Sequence, residues 1–283
     1  MPATMSPAPK VSATAISEVS KAIPTVSLFN MKIHRVNMQQ AIAQIKCWMF
    51  ARQEMVPGGC RFVVTPNVDH AVLLQTNKRL SSAYSKADLV LADGHPVVWA
   101  SRLLGKKLPE RVPGSDLVPL LFSSLSQQER LRVFLLGAAP GVGLRAAANI
   151  GRRFAQVDIV GVYSPPLGFE TKPSENENIL SKIAEVRPDL VVIGLGAPKQ
   201  ECWIAEHCER VQAKVALCVG ATIDFLAGEK KRAPVWMQRL GIEWLHRMLS
   251  EPKRLVKRYA KDAWVFPQLV FRQWRKDRTA MKS

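Results

Sequence analysis

The sequence predicts an α/β fold: a Rossmann-like, mostly parallel sheet with helices on both faces, followed by a basic helical C-terminal appendage. Short apolar runs alternate with amphipathic stretches of about a dozen residues, the rhythm of βαβ units. The runs are almost continuously apolar, as suits strands covered on both faces. Glycine, proline and polar side chains gather where the runs end, and open sheets of this kind bind ligands beyond the carboxyl ends of their strands.

Residues 1–27, rich in Ala, Ser, Pro, Val and Thr, read as a disordered leader without the apolar stretch of an export signal. A catalytic domain over 28–229 follows. Residues 61–65 (RFVVT) read as a strand ending at Pro66, and 69–79 as the next helix. Residues 87–92 (ADLVLA) read as a strand closed by Asp93 and Gly94, with a helix over 97–104. The run 131–136 (LRVFLL) enters Gly137, and a helix over 143–154 leads to a strand at 157–162 and a helix at 176–186. The run 190–193 (LVVI) enters Gly194-Leu195-Gly196 before a helix that starts at 200, and 215–219 (VALCV) ends at Gly220. Residues 230–283 form the appendage.

Charge sets that last segment apart. The net charge is +17, and residues 230–283 hold 15 Lys/Arg against 4 Asp/Glu. Such asymmetry suits an anionic partner, a phospholipid surface or a nucleic acid. On a wheel of about 100° per residue, Lys253, Arg254, Lys257, Arg258 and Lys261 share one arc. Leu255, Val256, Tyr259, Ala263 and Phe266 share the opposite one, with Trp264 at the boundary. A basic amphipathic helix with aromatics fits an interfacial position on anionic lipid; the same apolar arc also suits docking on the protein's own core. Before it, Trp236, Leu240, Trp244 and Met248 form a stripe that reads as core. No run approaches the roughly 18–20 apolar residues of a spanning helix. The five cysteines, Cys47, Cys60, Cys202, Cys208 and Cys218, include no C-x-x-C pair and fit a reducing cytosol.

Few segments offer chemistry. Gly137-Ala138-Ala139-Pro140-Gly141-Val142-Gly143 follows a strand and opens a helix, which suits either a phosphate cradle or a plain turn. Gly196 permits close backbone approach, while Lys199 and Gln200 bring charge and amide donors to a helix start. Asp93 ends a strand, where a carboxylate tuned by burial is able to take a proton from a hydroxyl; a turn Asp-Gly is the plainer reading. The chain has no D-x-D, H-E-x-x-H, Cys/His cluster or G-x-S-x-G, so neither metal nor cofactor is expected.

Taken together, TPNVDH (65–70), ADLVLADGHPVVW (87–99), RVPGSDL (111–117), LLGAAPGVG (135–143), GVYSPPLGF (161–169), PDLVVIGLGAPKQE (188–201), VGATIDFLAG (219–228) and RAPVWMQRLGIEWLHRMLSEPKRLVKRY (232–259) resemble the WecG/TagA/CpsF glycosyltransferases. These enzymes build teichoic-acid linkage units, enterobacterial common antigen and exopolysaccharides. The resemblance implies an inverting, metal-independent transfer from a UDP-sugar to an undecaprenyl-diphosphate-linked saccharide. The enzyme would be cytoplasmic and peripheral on the inner face of the plasma membrane, with a homo-oligomer left open and no nucleic-acid partner. By resemblance Asp93 is the general base. Thr65, Asn67 and Gln200 surround sugar and acceptor, Arg111 contacts the diphosphate, and Tyr163 and Asp224 contact the nucleoside. Arg247, Arg254 and Lys257 reach the diphosphate when the appendage closes on the bilayer.

The donor is left among N-acetylmannosamine, its uronic acid and glucuronic acid. Two alternatives stand beside the transferase. A nicotinamide-dependent oxidoreductase requires a dinucleotide fingerprint that the Gly137 turn meets poorly. A basic nucleic-acid-binding protein rests on charge alone.

Overall fold

The computed structural model describes residues 23–50 and 59–280, save the side chains at 239, 254 and 280. The first elements are a hairpin, β1 (Thr25–Leu28) and β2 (Met31–His34), and a helix, α1 (Met38–Phe50). Next come β3 (Arg61–Val64), α2 (Val68–Leu73), α3 (Lys78–Lys86), β4 (Leu89–Val90), α4 (His95–Leu103) and α5 (Gly114–Ser123). The second half runs β5 (Leu131–Gly137), α6 (Val142–Arg153), β6 (Val157–Tyr163), α7 (Pro173–Val186), β7 (Leu190–Gly194), α8 (Lys199–His207), β8 (Val215–Cys218) and α9 (Thr222–Leu226). The appendage supplies α10 (Val235–Leu240), α11 (Glu243–Ser250) and α12 (Pro252–Ala280).

The six-stranded sheet has the order β4-β3-β8-β7-β5-β6 and every pairing is parallel. Alternation along the strands feeds two cores. Phe62, Val64, Phe134, Val191 and Ile193 face α2, α3, α4, α7 and α8, whereas Val63, Val133, Leu135, Val192 and Leu217 face α1, α5, α6 and α9. The strands thus read as unbroken apolar runs because both faces are covered. The neighbours β3 and β8 send their chains to opposite faces, through α2 and α9. Their carboxyl ends therefore border a crevice of the kind that holds ligands in doubly wound sheets.

Several expectations need correction. The leader boundary at 27 falls too late, since Thr25–Leu28 is already paired with β2; residues 1–22 lie outside the described residues. The single helix over 69–79 is two, because Asn77 leaves the helical region and caps α3, its side chain accepting from the Leu80 N–H at 3.0 Å. The strand over 87–92 pairs as a strand only at Leu89–Val90. The Trp236 and Leu240 stripe is not core: these side chains are exposed, and Met237 is buried instead.

Gly137 has a packing role. Its φ is +112°, and a Cβ there would lie 2.5 Å from the Gly194 carbonyl oxygen of the neighbouring strand. Gly137→Ala is expected to cost about 3 kcal/mol or more of unfolding free energy in a denaturant titration.

α12 is a 29-residue helix, about 43 Å long. Leu255, Phe266 and Leu269 are buried, and Phe266 meets Phe29 edge-on with centroids 5.1 Å apart. Lys106 pairs with Asp277 at 2.7 Å near its far end. Among the described residues no helix is long and apolar enough to cross a membrane.

Candidate active site

At the carboxyl ends of β3 and β4 the Asp93 N–H donates to the Pro66 carbonyl at 2.8 Å, which ties the two strand exits together. Gly94, at φ +101°, then turns the chain into α4. On the other exit Asn67 caps α2, its Oδ1 accepting from the His70 N–H at 3.4 Å. A cavity of about 310 Å³ opens over these turns. Asn67, Asp69, Asp93, Arg111 and Phe225 line it from the sheet domain. The appendage closes it with Trp244 and Arg247 from α11, and Arg258, Tyr259, Asp262 and Phe266 from α12.

The charges are arranged across that junction. Arg111 pairs with Glu243 of α11 at 3.0 Å and with Asp116 at 3.7 Å, and Arg232 pairs with the same Asp116. Arg247 lies over the Phe225 ring, 5.8 Å from its centroid. Arg258 meets Asp69 at 3.5 Å. Burial raises the Asp93 carboxyl from the ordinary 3.8 to about 6, against the pull of Arg247 and Arg111. A carboxylate poised there is ionised at neutral pH yet basic enough to accept a proton from a hydroxyl.

Of the residues singled out from sequence, Asp93, Asn67, Arg111 and Arg247 come together here. The others with described side chains do not line the cavity. Thr65 is buried, its hydroxyl donating to the Cys218 carbonyl at 3.0 Å and joining the ends of β3 and β8. Gln200 is 3% exposed: its Nε2 donates to Glu201 at 2.7 Å and its Oε1 accepts from the Gly220 N–H at 3.2 Å. Tyr163 ends the opposite edge strand and donates to Glu175 at 2.5 Å. Gly196, at φ +79°, faces open space ahead of α8. Asp224 pairs with Lys230 at 3.8 Å, while its neighbour Phe225 lines the cavity. Lys257 is on the exposed face of α12, and Arg258, one residue on, takes the inward position. The Arg254 side chain lies outside the described residues.

Sequence reasoning missed Asp69, Arg258 and Asp262. For Asp262 a signal existed: on the helical wheel it falls between Arg258 and Leu255, a lone carboxylate at the edge of the apolar arc. It is 5% exposed, and burial followed by the Asp69 charge raises its carboxyl to about 6, with Arg258 opposing. Because this folded value exceeds the unfolded one, Asp262 takes up a proton on folding, and stability falls as pH climbs from 3.8 to about 6. Asp262→Asn is expected to add about 1–3 kcal/mol of stability at pH 7.5 and to make no such difference below pH 4. Urea titrations at the two pH values measure this.

The sequence pattern of the glycosyl transferase WecG/TagA/CpsF family matches residues 26–280. The chain belongs to this family. Two curated relatives are both named N-acetylglucosaminyldiphosphoundecaprenol N-acetyl-beta-D-mannosaminyltransferase. The one from Staphylococcus aureus strain MRSA252 is 31% identical over 230 residues, 81% of this chain and 86% of the relative. The one from Bacillus spizizenii strain W23 is 35% identical over 193 residues, 68% of this chain and 72% of the relative. Membership decides among the three readings of the sequence in favour of the glycosyltransferase. The match ends where α12 ends, so in this WecG/TagA/CpsF protein the basic helix belongs to the family's unit.

Proposed function

We propose that this glycosyltransferase moves N-acetylmannosamine, or a close relative of it, from a UDP-sugar to a saccharide carried on undecaprenyl diphosphate, within cell-surface polysaccharide synthesis. The observation that carries the proposal is the meeting of Asp93, a carboxylate of raised basicity, with Arg111 and Arg247 in one cavity built jointly by the sheet domain and the appendage. The names of the relatives supply the acceptor class and the sugar.

In this reading Asp93 removes the proton of an acceptor hydroxyl as its oxygen attacks the anomeric carbon. The bond to the diphosphate breaks, UDP leaves, and configuration inverts. Negative charge grows on the departing diphosphate, and Arg111, Arg247 and Arg258 neutralise it in a site partly screened from water. No divalent ion is needed for that task. Asn67 holds the sugar at the cavity rim. The nucleoside end of the donor runs along the strand ends past Gly196 toward Tyr163, with Asp224 near the ribose. Thr65 and Gln200 act from behind, by shaping the turns.

The outward face of α12 meets the membrane. Lys253, Lys257 and Lys261 are exposed there, with Trp264 75% and Phe271 57% exposed among them. Cations beside aromatics suit the headgroup layer of an anionic leaflet. Docking places the protein peripherally on the cytoplasmic face, where a lipid diphosphate reaches the cavity. The decisive test offers a panel of UDP-sugars with a polyprenyl-diphosphate-saccharide, with and without EDTA, and reads the lipid product by mass spectrometry. One added N-acetylhexosamine in both conditions is expected. No product from any donor, or a strict divalent-ion requirement, overturns the reading.

A further inference from the structure

His70 does not line the cavity, yet its ring joins the turns that do. Asn67 Oδ1 acts as an acceptor, because it caps the His70 backbone N–H at 3.4 Å. His70 Nδ1, 2.9 Å from that same oxygen, is therefore a donor. Nε2 faces Glu201 Oε1 at 3.2 Å, and that oxygen is an acceptor, since it already accepts from Gln200 Nε2 at 2.7 Å. A ring that donates from both nitrogens is an imidazolium. The Asn67 backbone N–H also approaches Nδ1, at 3.3 Å. That longer contact is a bond only for the neutral ring, which would set two lone pairs against each other at 2.9 Å. Turning the Asn67 amide over would give up the helix cap.

The counter-charge is in place. Glu201 is fully buried, and its Oε1 also accepts from Gln200, whose own oxygen holds the Gly220 N–H. We propose that His70 is a positioning residue: a buried imidazolium that clamps Asn67 to Glu201 and so holds Asn67, Gln200 and the Gly220 turn in register at the strand ends beside Asp93.

The groups facing this ring come from every neighbouring element. They are Asp69 on α2, itself paired with Arg258, Tyr84 on α3 with ring centroids 6.2 Å away, Asp93 after β4, Glu201 on α8, and Asp262 on α12. Burial lowers the imidazole, but the Glu201 hydrogen bond and the charges of Glu201, Asp69 and Asp93 outweigh it and the net direction is upward. In return the positive ring helps keep Asp93 ionised. Only this kinetic consequence rests on the transferase reading.

The test has two arms on the full chain. Long-range 1H–15N correlation of the imidazoles, with the His70 signals assigned by their loss in His70→Gln, is expected to find both nitrogens protonated at pH 7.5. A ring with one bare nitrogen there overturns the proposal, whatever the enzyme's activity. In the second arm, His70→Gln and Glu201→Gln are expected to move the acidic limb of kcat/KM upward by about half a pH unit or more. The two variants keep a hydrogen-bonding amide in the buried site while removing the ring's charge or the anion that sustains it. A limb that stays in place in both overturns the proposal. Absence of transfer in the wild type, with the imidazolium present, overturns the functional reading and leaves the charged ring standing.

Discussion

Asp93→Asn is expected to lower kcat by a factor of about 10²–10⁴ while UDP binding stays within a few-fold. Calorimetric titration with UDP and product analysis separate the two. The amide keeps the shape of the side chain but has no lone pair basic enough to take the acceptor's proton. The same substitution is expected to stabilise the protein. Burial raises the Asp93 carboxyl to about 6, so at pH 7.5 the folded chain holds an ion that is less well solvated than in the unfolded chain. Removing that charge is expected to gain about 1–2 kcal/mol at pH 7.5, and nothing at about pH 3 or below, where both states carry the proton. In the wild type, kcat/KM is expected to fall as pH drops through about 6, as Asp93 takes up that proton. An unchanged kcat in the asparagine variant removes Asp93 as the base.

The second large effect is expected on the outer face of α12. Reversing Lys253, Lys257 and Lys261 to Glu, with Trp264→Ala, is expected to weaken partitioning onto anionic vesicles more than about 100-fold, given roughly 1 kcal/mol per basic residue at such a surface. Transfer to a full-length polyprenyl acceptor in vesicles falls with it. Transfer to a short-chain, water-soluble diphosphate acceptor stays within a few-fold, because the altered side chains point away from the cavity. Equal loss on both acceptors would mean that the cavity itself was damaged and would refute surface docking. Removing everything after Glu229 is a poorer experiment: it also strips Phe266 and Leu269 from the core and uncovers Phe29.

The sheet was readable because its strands are buried on both faces and leave apolar runs that no surface helix imitates. The hairpin was not, since each strand has four residues and the first lies within the Pro- and Ser-rich start of the chain. At the site, Asp93 and Asn67 could be found because they sit at strand exits, where chain position dictates location; Arg111, in the loop between α4 and α5, was reached only through the family resemblance. Thr65 and Gln200 stand at equally conspicuous places but point elsewhere. A sequence gives the register of a strand end and not the partner its side chain selects, here the Cys218 carbonyl and Glu201. Lys257 and Arg258 differ by one helical step, and an error of that size exchanges inside for outside. Asp262 falls in neither arc of the wheel but on the border between Arg258 and Leu255, where angle alone does not tell inside from outside.

One rod carries both tasks of the appendage. Trp264 and the lysines occupy one side of α12, while Arg258, Asp262 and Phe266 on the other side wall the cavity. Their angular relation is locked by the screw of the backbone. Inserting a single residue between Asp262 and Trp264 would swing everything beyond it by about 100°, turning the anchor aromatics away from the lysines and Phe266 out of its seat. Seven inserted residues would restore the angle to within about 20° but slide the distal half outward by roughly 10 Å, beyond the reach of Phe29. Length changes in this stretch are therefore forbidden in a way that most surface helices escape, and natural variation there should consist of substitutions alone.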